Sequence, residues 1–120
     1  MARYSATLNR YVEGETVTPV ASAARTTSSD SGWLASDAFN ALELFLDVTA
    51  ASGTSPTLNV IVETRSSAGT VRTVGTAFSQ ATAVSSERKS LVGLGDEYRV
   101  RWTIGGTGPS FTFSVTGYSK

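Results

Sequence analysis

Two kinds of residue in this chain could do chemistry: carboxylates grouped on predicted strands, and arginines alternating with large apolar side chains. A glycosidase-like acid pair would have to be drawn from Asp30, Asp37, Glu43, Asp47 and Glu63. Glu43 and Asp47 fall on the outward face of one predicted strand, where acids are ordinarily solvated. Glu63 alternates with Arg65, a pattern that suits cross-strand ion pairing. Arg99 and Arg101 lie on the face opposite Tyr98, Val100 and Trp102. Such a pair of guanidinium groups suits a partner's carboxylates or a sugar acid, and it equally suits a plain exposed strand face. Of the two tryptophans, Trp102 fits the core pattern, and Trp33, in polar surroundings, is the freer one to stack on a ligand.

Histidine and cysteine are both missing from the sequence. That removes disulfides, thiolate and imidazole metal sites, and the usual base beside a serine nucleophile. Only Lys89 or Lys120 could replace that base, and neither is expected to. Asp30-Ser31-Gly32 and Asp96-Glu97 are the sole hints of a calcium loop, and both read better as turn chemistry. No catalytic, cofactor-binding or metal-binding residue is expected, and the chain is read as a non-enzyme.

The elements that must position these residues are strands. In 120 residues, 40% are apolar and 17% charged, and Ser and Thr are abundant. Period-two alternation marks Leu42–Val48, Leu58–Thr64, Tyr98–Ile104 and Phe111–Val115. Pro19–Thr26 is expected as an edge strand, Thr70–Phe78 as a weaker one, and Glu87–Val92 as a charged edge. Residues 27–32 are expected as a loop, and the stretch from Trp33 to Asn40 as one helical turn or the start of a strand. The predicted core is Leu42, Leu44, Leu46, Val48, Leu58, Val60, Val62, Phe78, Leu91, Tyr98, Val100, Trp102, Ile104, Phe111, Phe113 and Val115. Turn signals about every ten residues, with no long helical pattern, predict an all-β fold: a single antiparallel β-sandwich or jelly-roll-like domain over 19–120.

Residues 1–18 are expected to form an N-terminal arm. Tyr4, Leu8, Tyr11 and Val12 have the spacing of a short helical turn, too short to be stable alone. The arm is either a frayed terminus or a segment that packs on a neighbouring subunit. No run of apolar residues is long enough to span a membrane, and no secretory leader is expected. Residues 1–60 carry three bases against six acids and residues 61–120 seven bases against four acids, with no basic cluster suited to nucleic acid. Phe45 and Ile61 interrupt otherwise polar faces, which suggests that those faces are partly covered.

One stretch occurs twice. Gly53-Thr54-Ser55-Pro56 returns as Gly106-Thr107-Gly108-Pro109, and each copy precedes an alternating strand. Each is expected as a loop joining two strands, so that the chain holds two similar hairpins. Every residue in the motif has a backbone reason to be there: glycine for positive φ, proline for a fixed φ at a strand start, threonine for local hydrogen bonds. No lysine or helix follows, so the motif is not a phosphate loop.

The runs Leu46-Asp47-Val48-Thr49-Ala50-Ala51-Ser52-Gly53-Thr54-Ser55-Pro56-Thr57-Leu58 and Tyr98–Phe113 resemble those of small β-sandwich structural proteins of tailed bacteriophages. The resemblance spans about residues 20–118 and includes Ala21-Ser22-Ala23-Ala24-Arg25-Thr26. It implies a structural role in the virion, either capsid decoration (cement) or a tail or head–tail component, and brings no active site. The partners it implies are other virion proteins and further copies of the chain, a trimer among the possible forms. Assembly in the host cytoplasm and release by lysis would fit the missing leader. A carbohydrate-binding sandwich that attaches to cell surfaces is the alternative. On these expectations the candidate interface residues are Tyr4, Leu8, Tyr11, Val12, Trp33, Phe45, Ile61, Arg99 and Arg101.

Overall fold

Alternation of apolar and polar residues drives the chain into strands, and the strands are longer than the sequence suggests. The computed structural model describes residues 3–6, 10–12, 15–37, 41–67, 69–75 and 77–120. In order the strands are β1 (Arg3–Ser5), β2 (Arg10–Val12), β3 (Thr16–Arg25), β4 (Ser29–Asp30), β5 (Leu34–Ala35), β6 (Ala41–Arg65), β7 (Arg72–Thr73), β8 (Ser85–Val92) and β9 (Glu97–Ser119). No helix occurs among the described residues. The fold is all-β, with one seven-stranded antiparallel sheet and a separate two-stranded sheet formed by β1 and β2.

Two strands dominate. β6 runs for 25 residues and β9 for 23, against about 5–6 for an ordinary strand. They pair antiparallel from Leu42↔Ser119 to Arg65↔Glu97. Chain segments line both outer edges. β3, β4 and β5 follow β9, while β7, a bridge at Ala81, and β8 follow β6. The first half-sheet consists of β3, β8 and the parts of β6 and β9 at 41–51 and 111–119. The second consists of β4, β5, β7 and the parts at 57–65 and 97–105.

The repeated motif sits between these halves, and it corrects the expectation of two hairpin loops. Both copies lie inside the long strands and pair with each other, with Thr54 opposite Thr107. The register shifts on either side of that pair, so each copy bulges against the other. Gly53 and Gly106 both have φ of 111°. A Cβ on Gly53 would lie 2.7 Å from the Gly108 carbonyl oxygen and 2.8 Å from the Pro109 Cα. One on Gly106 would lie 2.7 Å from the Ser55 oxygen and 2.9 Å from the Pro56 Cα. Each glycine thus lets the other copy's proline approach, and the repeat is a reciprocal crossing with local two-fold character. The position after each threonine is also left-handed, at Ser55 (φ 48°) and Gly108 (φ 58°).

These bulges fold the sheet over. Trp102 and Phe113 are eleven residues apart on β9, about 36 Å along a straight strand. Their ring centroids lie 5.5 Å apart in an edge-to-face contact. The strand therefore doubles back, and the two half-sheets share one core. That core holds every residue predicted for it, Ile104 at its margin, together with Val20, Val74 and Ala81. Burial in it pushes the Tyr98 hydroxyl up to about 12.

Other expectations change in detail. Among the described residues of the expected Thr70–Phe78 strand, only Arg72–Thr73 is a strand. Ser29–Asp30, expected in a loop, pairs with β9. Around Asp30 the turn chemistry is as expected, with the Gly32 amide donating to Asp30 Oδ1 at 2.7 Å. Of the two forms expected for 33–40, a helical turn or a strand entry, residues 34–35 take the strand. Ser36 is then buried, its amide donating to the Asp96 carbonyl and its hydroxyl to that of Gly95. The main sheet takes up the chain at Thr16, opposite Tyr118. The arm before it is a β-hairpin, not a helical turn, with Tyr4 opposite Tyr11 and Arg3 opposite Val12. Leu8 lies outside the described residues.

Candidate functional site

The outward face of the second half-sheet gathers four of the nine expected interface residues, Trp33, Ile61, Arg99 and Arg101. Asn59, Ile61, Glu63 and Arg65 on β6 stand opposite Thr103, Arg101, Arg99 and Glu97 on β9. Residues directly opposite on one face have their Cβ atoms within about 5.5 Å, so unlike charges meet. Arg99 Nε donates to Glu63 Oε1 at 2.8 Å, and Arg65 Nε to Glu97 Oε1 at 3.1 Å. Arg101 Nη1 lies 3.7 Å from Glu63 Oε2, and Arg99 Nη1 lies 3.8 Å from Asp30 Oδ2. The expected cross-strand pairing of Glu63 and Arg65 is therefore made with β9.

The segment between β4 and β5 lays Trp33 over this ladder. The guanidinium carbons of Arg65 and Arg99 lie 4.1 and 4.7 Å from its ring centroid, within cation–π range. Trp33, expected as the freer tryptophan, is half-buried and already stacked. Glu63 is nearly enclosed, with its side chain 9% exposed and held by two arginines. The Arg101 side chain is 52% exposed and only loosely held, which leaves it the most available fork of this ladder for an external carboxylate or phosphate. This face can recognise a charged partner, and it presents no nucleophile beside a base.

Serine and lysine do occur at motif spacing in Ser86-Glu87-Arg88-Lys89. A Ser-x-x-Lys pair meets only on a helix, where positions three apart share a face. On β8 it is split, because Ser86 pairs beside Asp47 on the outward face and Lys89 beside Leu44 on the inward one.

The structure brings Trp33, Ile61, Arg99 and Arg101 together. Phe45 stands apart on the outer face of the first half-sheet, 40% exposed, opposite Thr116 and Arg88. On the same face Glu43 accepts from the Ser90 hydroxyl at 2.7 Å. That bond, followed by the hydrogen bond and charge of Lys120, holds the Glu43 carboxyl below the usual carboxylate range. Tyr4, Tyr11 and Val12 lie on β1 and β2, where Tyr4 pairs with Tyr11 and Val12 with Arg3.

Three residues join these contacts in places the sequence did not signal. Asp30 and Glu97 join the ladder only because β4 and β6 flank β9. Arg25 is more unusual. Its guanidinium carbon lies 5.1 Å from the Trp102 ring centroid and 4.7 Å from that of Phe113. Nη1 donates to the Phe113 and Ala23 carbonyls and Nη2 to that of Ala21. Partial burial lowers its pKa. Arg25 ties the β3 edge to the contact between the half-sheets, and nothing in its sequence neighbourhood signals that role.

Beside the start of β3 lies a groove of about 210 Å³, lined by Glu15, Val17, Thr18, Pro19, Leu34, Ala35 and Tyr98. No protein-family model and no curated protein matches the chain.

Proposed function

We propose that this chain is a structural subunit of a bacteriophage virion, a decoration protein that cements the capsid shell through subunit contacts and its N-terminal arm. The observation that supports the reading is the hairpin of β1 and β2, whose strands, among the described residues, pair with each other and with no strand of the main sheet. Two strands of three residues each are marginal in water without a further surface to rest on. On a lattice, a neighbouring subunit supplies that surface, and the groove beside Val17 and Pro19 suits an apolar side chain from such an arm. The resemblance of Leu46–Leu58 and Tyr98–Phe113 to phage structural proteins supports the same role. Arg101 and its neighbours supply a polar rim for contact with the shell.

The test uses purified particles. The protein should be present in their mass spectra, and removal of residues 1–14 should abolish binding of the added protein to capsids that lack it. Absence from the particles sinks the reading, and undiminished binding without the arm sinks the arm's part in it. Electron microscopy of labelled particles separates capsid decoration from a tail or head–tail position, the alternative reading.

A further inference from the structure

The two edges of the main sheet are finished differently. On β3 the register shifts twice, Pro19 lacks an amide hydrogen, and Arg25 occupies the Ala21 and Ala23 carbonyls. These features blunt an edge. β8 has none of them: its eight residues pair with β6 in unbroken register and include no Pro or Gly. Among the described residues, β6 is its sole strand partner.

The backbone groups on the open side of β8 follow from the ladder. The amide of Ala41 donates to the Lys120 carbonyl at 2.9 Å, and that of Lys120 to the Ala41 carbonyl at 3.0 Å. Odd residues of β6 in this stretch therefore direct N–H and C=O at β9, and even ones direct them at β8. Leu42, Leu44, Leu46 and Val48 face Leu91, Lys89, Glu87 and Ser85. The backbone groups of Ser86, Arg88, Ser90 and Val92 consequently point outward, unpaired by any strand.

We infer that this edge pairs with β8 of a second copy, antiparallel about a two-fold axis at Arg88, to make a dimer with a continuous sheet. In that register Arg88 bonds Arg88 of the other copy, and Ser86 bonds Ser90, so every outward group meets another outward group. Glu87 falls opposite Lys89 of the other copy, and Lys89 opposite its Glu87, in the close non-hydrogen-bonded positions. Val84, just before the strand, falls opposite Val92. These two are the most exposed large apolar residues described, at 67% and 72%. Centring the axis one residue either way sets Glu87 against Glu87 or Lys89 against Lys89. The charges that protect the edge from other strands thus select one partner and one register. The facing Arg88 side chains oppose the contact, and each has Glu43 Oε2 of its own copy 3.8 Å away. The contact is isologous and closes at two copies. It is smaller than a standard interface, so its affinity is modest. It does not rest on the virion reading.

Sedimentation of the full-length chain over a wide concentration range tests the pairing, with circular dichroism to verify that each variant folds. The unaltered chain should dimerise as concentration rises. Lys89→Glu and Glu87→Lys should each weaken the dimer roughly tenfold. An equimolar mixture of those two variants should restore it, because only the mixed dimer is complementary. Arg88→Thr should tighten it. Arg88→Pro, which removes an outward amide and leaves the bonds to β6 intact, should abolish it. A chain monomeric at every concentration overturns the inference, as does a dimer indifferent to Lys89→Glu and to Arg88→Pro.

Discussion

The two half-sheets present the same alternation inward and different chemistry outward. In the first, Leu42, Leu44, Leu46 and Val48 line the core while Glu43, Phe45 and Asp47 face out, and the ion pairs there, to Arg88 and Lys120, are long and partly exposed. In the second, Leu58, Val60 and Val62 line the same core while Glu63, Arg65, Glu97 and Arg99 form a short, half-buried ladder under Trp33. Inward burial holds both halves together. Only the second adds a rigid charged surface, since ion pairs gain strength as water is excluded. The difference arises from the flanking segment: Trp33 and Asp30 cover the second ladder.

The strongest way to break this arrangement is at the crossing that joins the halves. Gly106→Val combines left-handed backbone strain with a clash against the Ser55 and Thr54 carbonyls. It should cost about 5 kcal/mol or prevent folding, read as a loss of urea midpoint or of soluble protein. Phe113→Ala removes the edge-to-face contact across the fold and should cost about 4 kcal/mol by the same measurement. If it costs no more than a surface substitution, the halves do not share a core.

Alkaline titration probes the core from the second half-sheet. Tyr98 has a folded pKa of about 12 against an ordinary value of 10. The neutral hydroxyl is the buried form, so its contribution is whole below pH 10 and is lost as pH rises toward 12. Over that window stability should fall by about 3 kcal/mol, and Tyr98→Phe should flatten the fall.

The outer faces give the finest contrast. Glu63→Gln leaves Arg99 with a weakened partner in a half-buried setting and should cost about 2 kcal/mol. Glu43→Gln on the other face should lower the urea midpoint near neutral pH only slightly, and by much less than Glu63→Gln, because its partners are exposed. The sign of the Glu43 effect is nevertheless defined. Its folded pKa lies below the unfolded value, so the small contribution is present above the ordinary carboxylate range and disappears as pH falls through the folded value. Equal responses of Glu63 and Glu43 would erase the distinction drawn between the faces.

Much of the fold was legible because period-two alternation is a local property. Leu42–Val48 and Tyr98–Ile104 needed no partner to declare which side faces inward. Trp102 was assigned to the core on its spacing alone, and Glu63 and Arg65 declared a cross-strand ladder before its partners were known. The repeated Gly-Thr-x-Pro was also visible, but its meaning was not. A bulge within a long strand and a loop between two short strands ask for the same residues, since both need glycine at positive φ and proline without an amide. Trp33 looked free because its neighbours in sequence are polar, while its neighbours in space are Arg65 and Arg99. The local structure near the N-terminus was not legible: the Tyr4, Leu8, Tyr11 and Val12 spacing fits a short helical turn, whereas β1 and β2 pair with each other.

By itself the sequence determined that this is an all-β chain, which residues face inward, and that histidine- and thiol-based chemistry is excluded, because side-chain type and parity decide those matters residue by residue. Tertiary structure alone decided that the two motif copies lie against each other, that β9 doubles back to bring Trp102 onto Phe113, and that Arg25, Asp30 and Glu97 join those contacts. It also decided which edge of the sheet is left open. Each of these depends on segments tens of residues apart meeting in one register, and register is set by the burial of the whole sheet rather than by any local run of residues.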